Sequence, residues 1–291
     1  MSQSTDMTPA AAAASTPIDI VDAQVHLTLD MDERTILASM DALGITGVVA
    51  DEFWHVTENL AGMPCAPLPG GLFRPLSPYA QAAALRHPDR FSYLQRIEPR
   101  DPELDAVMTL LGSAPGCRAV RLVLLGGAQR AAFGSGGYDH VLHAAQARAL
   151  PVCVLGADMT TLPAVASRFP DLPIVLDHCG WPRNAQHWEQ ILQAASLPTV
   201  SLKWSHAFRA FGTAMNPAEA PQREFLRALE AFGVQRVMWA SDITHDESGA
   251  SWSALLGFVL DNPALSAGDK SWVLARTARS VFGWPQPPLA A

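Results

Sequence analysis

The run from Ile20 to His26 places polar residues at every second position, in the order Asp22, Gln24 and His26. If the run is a β-strand, side chains two residues apart project from one face, so these three should lie together. Two imidazoles at positions 24 and 26 would suit a divalent metal ion. Gln24 stands at the first position, and a carboxamide is a poor transition-metal ligand but a good hydrogen-bond donor and acceptor. The run therefore indicates either a weakened metal site or a site that works without metal.

Side chains that can take part in catalysis or metal binding also lie at the ends of three later strand-like runs. Asp177 and His178 follow one run, Lys203 lies within the next with Ser-His after it, and Asp242 follows the last. Taken singly, each has a structural explanation, because a strand-end His can cap a carbonyl and Asp242 can be an N-cap or turn residue. In a parallel barrel the strand ends meet at one mouth, where active sites form. Their joint placement therefore favours a shared site.

The elements that would position these residues alternate regularly after residue 17. Strand-like runs are Ile18–Ala23, Gly47–Phe53, Phe91–Ile97, Ala119–Leu125, Val152–Leu155, Ile174–Asp177, Val200–Trp204 and Arg236–Ala240. Helix-like segments are Glu33–Leu43, Pro78–His87, Glu103–Leu111, Tyr138–Ala149, Thr161–Phe169, Gln186–Ala195, Gln222–Phe232, Ser251–Leu260 and a closing Ala267–Phe282. Eight alternations predict an α/β fold, a single (β/α)8 TIM barrel over residues 18–291, although a doubly wound sheet would alternate in the same way.

Two segments lie outside this alternation. Residues 1–17 are rich in Ser, Thr and Ala and lack a basic start, which predicts a disordered leader. The link Val56–Ser77 is rich in Gly and Pro and has no periodicity, which predicts a loop folded over the barrel mouth. Asp32 and Gly44 are the predicted N-cap and C-cap of the first helix.

Composition limits the class of protein. The chain has 291 residues, 49% hydrophobic, and a formal net charge of -8, which argues against nucleic acid or an anionic membrane as partner. Four scattered cysteines without a CxxC pair are typical of reduced thiols. We therefore expect a cytoplasmic protein that acts on a small molecule, and a homo-oligomer is compatible with this.

Four ordered segments carry a resemblance to a known family. They are Asp22-Ala-Gln-Val-His26, Val175-Leu-Asp-His-Cys-Gly-Trp-Pro182, Val200-Ser-Leu-Lys-Trp-Ser205 and Arg236-Val-Met-Trp-Ala-Ser-Asp242, with a closing Arg276-Thr-Ala-Arg-Ser-Val-Phe-Gly283. They resemble the strand ends and last helix of the amidohydrolase-related (amidohydrolase 2) family. The resemblance covers almost all of Ile18–Gly283 and implies a TIM barrel with pore-facing site residues.

The resemblance implies that His26, His178 and Asp242 are the catalytic residues. Gln24 departs from the first His of the family's pair, and the run Val152–Gly156 lacks the fifth-strand His of many metal-bearing members. Because a catalytic metal usually needs three protein ligands, these departures favour the lactonase branch, of which 2-pyrone-4,6-dicarboxylate lactonase is the best-known kind and works without metal. In that branch the Asp activates water and the histidines polarise the lactone carbonyl.

Candidate substrate-binding residues begin with Gln24, as an amide donor to the developing oxyanion. Arg121 matches the fourth-strand arginine of the lactonases, whereas Arg118 lies an odd number of residues away and should face outward. Arg130 and Arg209 lie in predicted loops after the fourth and seventh strands, where they could clamp a carboxylate or simply face solvent. These positions favour an acidic substrate.

Three aromatic residues complete the predicted substrate site. Trp54 and His55 end the second strand, and Trp181 follows the His178 motif, so they could stack on a flat ring, although most Trp residues pack in cores.

Several functions remain open at the level of sequence. The first is a hydrolase of a cyclic ester, carboxylated or otherwise polar, that needs no cofactor. The second is a decarboxylase of an aromatic or muconate-type acid with Zn or Mn held by His26, His178 and Asp242. A third is a binding barrel without catalysis. Amide hydrolysis and lactone isomerisation are also compatible with these residues.

Overall fold

The computed structural model describes residues 18–28, 31–53, 64–212, 219–244 and 248–286. Eight parallel strands form one sheet and lie in it in the order in which they occur along the chain. The strands are β1 Val21–Leu27, β2 Gly47–Glu52, β5 Phe91–Arg96, β6 Cys117–Val123, β7 Val152–Leu155, β8 Ile174–Leu176, β9 Val200–Trp204 and β10 Val237–Trp239. The predicted TIM barrel is confirmed.

Helices surround the sheet. They are α1 Glu33–Leu43, α2 Pro78–Arg86, α3 Leu104–Ser113, α4 Gly127–Gly134, α5 Asp139–Gln146, α6 Leu162–Arg168, α7 Ala185–Gln193, α8 Ala207–Phe211, α9 Glu219–Phe232, α10 Trp252–Leu260, α11 Ala267–Ser271 and α12 Thr277–Val281. The predicted closing helix is interrupted by a π-helical segment, Trp272–Arg276, between α11 and α12. The predicted caps of α1 are confirmed, since Asp32 accepts a hydrogen bond from the Thr35 N–H and Gly44 is left-handed.

The barrel interior and its outer wall are separate apolar clusters. Residues such as Val49, Leu94 and Met238 form the interior cluster, and Trp284 joins them from the C-terminal segment. The larger cluster lies between the strands and the helices. This division follows from the period of two along each strand, which sends alternate side chains to opposite faces.

A β-bulge interrupts β1. Asp22 pairs with Val48 and Val25 pairs with Ala50, so a three-residue step on β1 faces a two-residue step on β2. An inserted residue reverses the alternation of faces beyond it. Gln24 accordingly lies inside the barrel.

The prediction that Asp22 shares a face with Gln24 and His26 is therefore wrong. Gln24 Oε1 lies 2.9 Å from Lys203 Nζ, and His26 Nε2 lies 2.9 Å from Asp242 Oδ1. Asp22 lies before the bulge and points away from this pair.

Asp22 instead closes the seam between the first and last strands. Its Oδ1 accepts the Ser241 N–H at 2.9 Å and its Oδ2 accepts the Trp252 indole N–H at 2.8 Å. Burial raises the pKa of Asp22 to about 6, although these donors act in the opposite direction. The backbone completes the seam, because the Asp242 N–H donates to the Gln24 carbonyl at 2.9 Å.

Part of the predicted loop Val56–Ser77 is regular. β3 Cys65–Leu68 and β4 Leu72–Pro75 form an antiparallel hairpin around the turn Pro69–Gly71, so the prediction of an aperiodic loop is wrong there. Gly70 and Gly71 both have positive φ, which turns require and glycine adopts without a Cβ penalty. The predicted leader, residues 1–17, and residues 56–63 of the link lie outside the described residues. No described helix is long and apolar enough to cross a membrane.

Candidate active site

Asp242 lies at the centre of a histidine cluster just beyond β10. Its Oδ1 is 2.9 Å from His26 Nε2, and its Oδ2 is 2.8 Å from His206 Nε2 and 3.5 Å from His178 Nδ1. The carboxylate is buried. All these residues follow or end barrel strands, so the predicted convergence of strand ends holds for Asp242, His26 and His178.

The surroundings of Asp242 keep it ionised. Burial alone would raise its pKa, but the His26 charge and the hydrogen bonds from His206 and His26 outweigh burial and hold the pKa well below its usual range. Asp242 is therefore a carboxylate that accepts hydrogen bonds at neutral pH.

His26 is held between two acceptors. Its Nδ1 lies 2.8 Å from the Asp51 carbonyl oxygen, and its Nε2 contacts Asp242 Oδ1. A carbonyl only accepts, so the ring can donate from Nδ1 to Asp51, while Nε2 lies against the Asp242 carboxylate. The imidazole is therefore fixed beside Asp242 at the mouth of the barrel.

His178 has the opposite character. Its Nε2 lies 3.1 Å from Arg121 Nη2, and its Nδ1 lies 2.9 Å from Ser205 Oγ. A guanidinium only donates, so Nε2 must accept and Nδ1 carries the proton, which it donates to Ser205. Burial lowers the pKa of His178 to about 3, which keeps the ring neutral. This tautomer cannot take a proton from the Ser205 hydroxyl, so the pair is not a serine-nucleophile dyad.

The cluster rests on backbone of unusual conformation. His178, His206 and Asp242 all have positive φ, as does Trp181 at the end of the short turn after β8. Non-glycine residues rarely adopt this region, and such strain concentrates at functional sites. Three of the clustered side chains are thus carried on strained backbone.

A network of buried charges supports the cluster from below. Arg121 Nε donates to Asp177 Oδ2 at 2.7 Å, and Arg121 Nη1 donates to Asp51 Oδ2. Arg96 donates to the same Asp51 carboxylate, with Nη2 2.6 Å from Oδ2. Burial opposes the charges of Asp51 and Asp177, but the neighbouring cationic side chains lower the pKa of both, that of Asp177 to about 2. Arg121 therefore lies within the pore, but its nitrogens bind protein groups.

Lys203 extends the network into the barrel. It is fully buried, and its Nζ lies 2.9 Å from Gln24 Oε1 and 3.0 Å from Asp177 Oδ1. Because an ammonium only donates, the Gln24 oxygen must face Lys203, which turns the amide nitrogen away. Among the described residues, Gln24 Nε2 has no hydrogen-bond partner.

A cavity of about 380 Å³ opens beside the cluster. Its described lining includes His178, His206, Trp181 and Arg209. The Arg209 guanidinium lies 4.7 Å from the centre of the Trp181 ring. A larger cavity of about 600 Å³ beside α1 has none of the cluster histidines among its described lining residues. The smaller cavity is therefore the candidate substrate site.

The remaining predicted substrate residues lie elsewhere or outside the description. Arg130 is within α4, and its Nη1 donates to the Leu124 and Leu125 carbonyl oxygens. Trp54 and His55 lie outside the described residues.

A divalent metal ion would find three candidate ligand atoms here. They belong to His178, His206 and Asp242 and lie within 4.8 Å of one another, so His206 takes the place of His26 in the predicted ligand set. The tautomer of His178 opposes such an ion, because its Nε2 lone pair accepts from Arg121 and its Nδ1 carries a proton. As arranged, both ring nitrogens of His178 are engaged in hydrogen bonds that a divalent cation would have to break.

Sequence reasoning missed two site residues. The sequence places His206 after the seventh strand but does not indicate a catalytic role for it, and Asp51 is not among the predicted site residues. A signal existed for Asp51, since an Asp inside an apolar strand run requires a buried partner. His206 gave none, because its approach to Asp242 depends on a left-handed backbone.

A TIM barrel with a buried carboxylate ringed by imidazoles at its mouth defines a hydrolase-like enzyme. The family model described as amidohydrolase matches residues 76–284, and the chain belongs to this family. The predicted family is thereby confirmed, and the non-catalytic alternative does not hold. No curated protein matches the chain.

Solved structures share the barrel. A Pseudomonas putida protein described as a 2-pyrone-4,6-dicarboxylic acid hydrolase has a TM-score of 0.66 and 19% identity, covering 92% of this chain and 98% of that one. A Burkholderia multivorans amidohydrolase with bound zinc has a TM-score of 0.69 and 19% identity, covering 92% and 100%. The 5-carboxyvanillate decarboxylase of Novosphingobium aromaticivorans, complexed with manganese and 4-hydroxy-3-methoxy-5-nitrobenzoic acid, has a TM-score of 0.64 and 14% identity, covering 92% and 97%. At these identities the likeness concerns the fold.

Proposed function

We propose that the protein hydrolyses a carboxylated cyclic ester by attack of a water molecule on the lactone carbonyl, with Asp242 as the general base and no obligatory metal. The observation that carries the proposal is the environment of Asp242, an ionised and buried carboxylate that accepts from His206 and lies 2.9 Å from His26 Nε2.

Asp242 can bind and activate water. A carboxylate has about four acceptor directions, so each oxygen retains capacity after accepting one imidazole N–H. Water held there gives its proton to Asp242 as its oxygen bonds to the lactone carbon. When the ring C–O bond breaks, Asp242 returns the proton to the leaving alkoxide, which gives a hydroxy acid and restores the base.

Donors at the mouth can stabilise the oxyanion. His26 stays a predicted donor, and the Gln24 amide nitrogen has no acceptor among the described residues. Donors fixed in advance in a water-poor pocket stabilise developing negative charge strongly. His178 fits a neutral ring that positions the base better than the predicted role of polarising the carbonyl, since its Nδ1–H faces Ser205 and its Nε2 accepts from Arg121.

The cavity beside the cluster supports an acidic substrate. The side chains of Arg209 and Trp181 offer a cation and an aromatic face in one place. A guanidinium binds a carboxylate through two parallel hydrogen bonds, and the indole can cover a flat ring. Trp54 and His55 stay predicted contacts, whereas Arg121 and Arg130 bind protein groups in this structure.

The test is hydrolysis of a panel of lactones, with and without a carboxylate, by protein stripped of metal with a chelator. Asp242→Asn should lower kcat by roughly 10² to 10⁴, the usual contribution of a general base. Asp105→Asn is the matched control, because Asp105 is an exposed carboxylate on α3 that pairs with Arg148. Full turnover by Asp242→Asn would refute the assignment of the base.

A second candidate is a metal-dependent decarboxylase of an aromatic or muconate-type acid. It is supported by the three ligand atoms of His178, His206 and Asp242, and by the manganese complex of a structural relative. The test is metal analysis together with CO2 release from such acids. Stoichiometric Zn or Mn, with activity lost on chelation, would replace the lactonase proposal.

We also propose a cytoplasmic location. All four cysteines are free thiols, and Cys117, Cys153 and Cys179 are buried. Thiols persist in reducing compartments, so fractionation of the producing cells is the direct test.

A further inference from the structure

We infer that Arg121 acts as a resident cation that excludes a divalent metal ion from this barrel by fixing the tautomer of His178. The inference rests on the proposed metal-free reaction and gives it a structural cause. Arg121 is thus a positioning residue rather than the carboxylate anchor predicted from the sequence.

The contacts of Arg121 are compatible with only one neutral tautomer of His178. Arg121 is 2% exposed, and it is anchored by Asp177 and Asp51 on either side. With the guanidinium held in this way, Nη2 faces His178 Nε2 at 3.1 Å. An N–H at Nε2 would meet this donor head-on, so Nε2 stays unprotonated and Nδ1 carries the proton.

This arrangement blocks both ways in which His178 could bind a metal. Ligation through Nε2 would require a divalent cation in the place of the guanidinium hydrogen. Ligation through Nδ1 would require loss of the Nδ1 proton, and a neutral ring would then carry its proton on Nε2 against Arg121. Metal binding requires a free imidazole lone pair, so either route demands that Arg121 move.

The charge balance of the pore opposes a metal as well. Asp51 and Asp177, two buried carboxylates of the pore, already contact cationic side chains. Asp51 pairs with Arg96 and Arg121, and Asp177 pairs with Arg121 and Lys203. Within this described group Asp242 is left to offset the two positive charges of a divalent ion, and a single carboxylate does not balance them.

Gln24 and Lys203 complete the exclusion. Gln24 stands where a first-strand His would be, and its oxygen, the one atom that could act as a hard ligand, accepts from Lys203 Nζ at 2.9 Å. Arg121 and Lys203, two cations of the chain itself, thus occupy the His178 nitrogen and the Gln24 oxygen that a metal ion would need.

The experiment measures metal affinity directly. Metal-free wild type, Arg121→Met and Arg118→Met are titrated with cobalt(II), followed by its visible absorption bands, and with zinc in competition with a chelating dye. Arg118 is the matched control, because it lies on the same strand but outside the network, with Nη1 3.0 Å from the Gly283 carbonyl oxygen. Asp51 keeps Arg96 and Asp177 keeps Lys203 when Arg121 is removed, which favours folding of the variant.

We expect Arg121→Met to bind the metal roughly 10- to 100-fold more tightly than wild type, the usual range for groups around a ligand. Adding Asp242→Asn to Arg121→Met should remove the gain, and Arg118→Met should match wild type. Equal affinity of wild type and Arg121→Met, whether tight or weak, would overturn the inference, as would the same gain in Arg118→Met.

A second measurement uses wild type alone and so does not depend on whether a variant folds. Nitrogen-15 NMR of wild type should show His178 protonated at Nδ1 and unprotonated at Nε2 near neutral pH, and the reverse tautomer would overturn the inference. Lactone turnover by chelated protein is scored separately, so failure of the proposed function leaves the metal titration interpretable.

Discussion

Burial of the neutral His178 ring should make the protein unstable in mild acid. The ring has an ordinary pKa of 6.5 when the chain is unfolded, and burial lowers its pKa to about 3 in the folded state. Between these values the unfolded chain binds a proton that the folded chain does not. The free energy of unfolding is therefore unaffected by this ring above pH 6.5 and decreases as the pH falls toward 3. Each pH unit in this window costs about 1.4 kcal/mol. At pH 5 the loss is about 2 kcal/mol.

The comparison is between wild type and His178→Gln, which keeps an acceptor for Arg121 and a donor for Ser205 but does not titrate in this range. Urea unfolding at about pH 7.5 and pH 5 gives the free energy of unfolding of each protein. The wild-type value should fall by about 2 kcal/mol more than that of the variant. Carboxylates titrate in both proteins and cancel in the difference. Parallel losses in the two proteins would refute the assignment of a neutral buried ring.

Three further outcomes follow from single contacts. Lys203→Met should lower the free energy of unfolding by about 3 to 5 kcal/mol, measured by urea denaturation, since it breaks a fully buried ion pair; a loss below about 1 kcal/mol would contradict this. Arg209→Gln should raise KM about tenfold for a carboxylated lactone and leave an uncharged lactone unaffected, and equal effects on both would remove Arg209 from carboxylate recognition. Trp252→Phe removes a donor to Asp22, so the free energy of unfolding should decrease by about 1 to 3 kcal/mol and the midpoint of thermal unfolding should fall. An unchanged midpoint would show that this hydrogen bond does not stabilise the seam.

The fold could be predicted from the sequence because its signals are local. The period of two in the strands, the helical periods and caps such as Asp32 each act over a few residues, and the barrel follows from their alternation. The bulge after Asp22 could not be foreseen, because an inserted residue leaves the composition of the strand unchanged. The hairpin at Cys65–Pro75 was missed because its strands are short and rich in proline and glycine.

The site could be predicted only in part, for a related reason. Strand ends locate Asp242, His26 and His178, and the geometry brings these together. His206 reaches Asp242 through a positive φ, which no residue type in its neighbourhood indicates. The role of Arg121 depends on which groups lie opposite it in space, and a motif position alone carries no such information.

The seam of the barrel has a consequence for the order of folding. The N–H of Asp242 donates to the carbonyl of Gln24, and the Ser241 N–H donates to Asp22, so the base is positioned by the same bonds that join the two ends of the sheet. These contacts link residues more than two hundred positions apart, which makes them the costliest in chain entropy to form. Recovery of activity during refolding should therefore lag behind recovery of the helical circular-dichroism signal. Turnover then reports when the last strand docks onto the first.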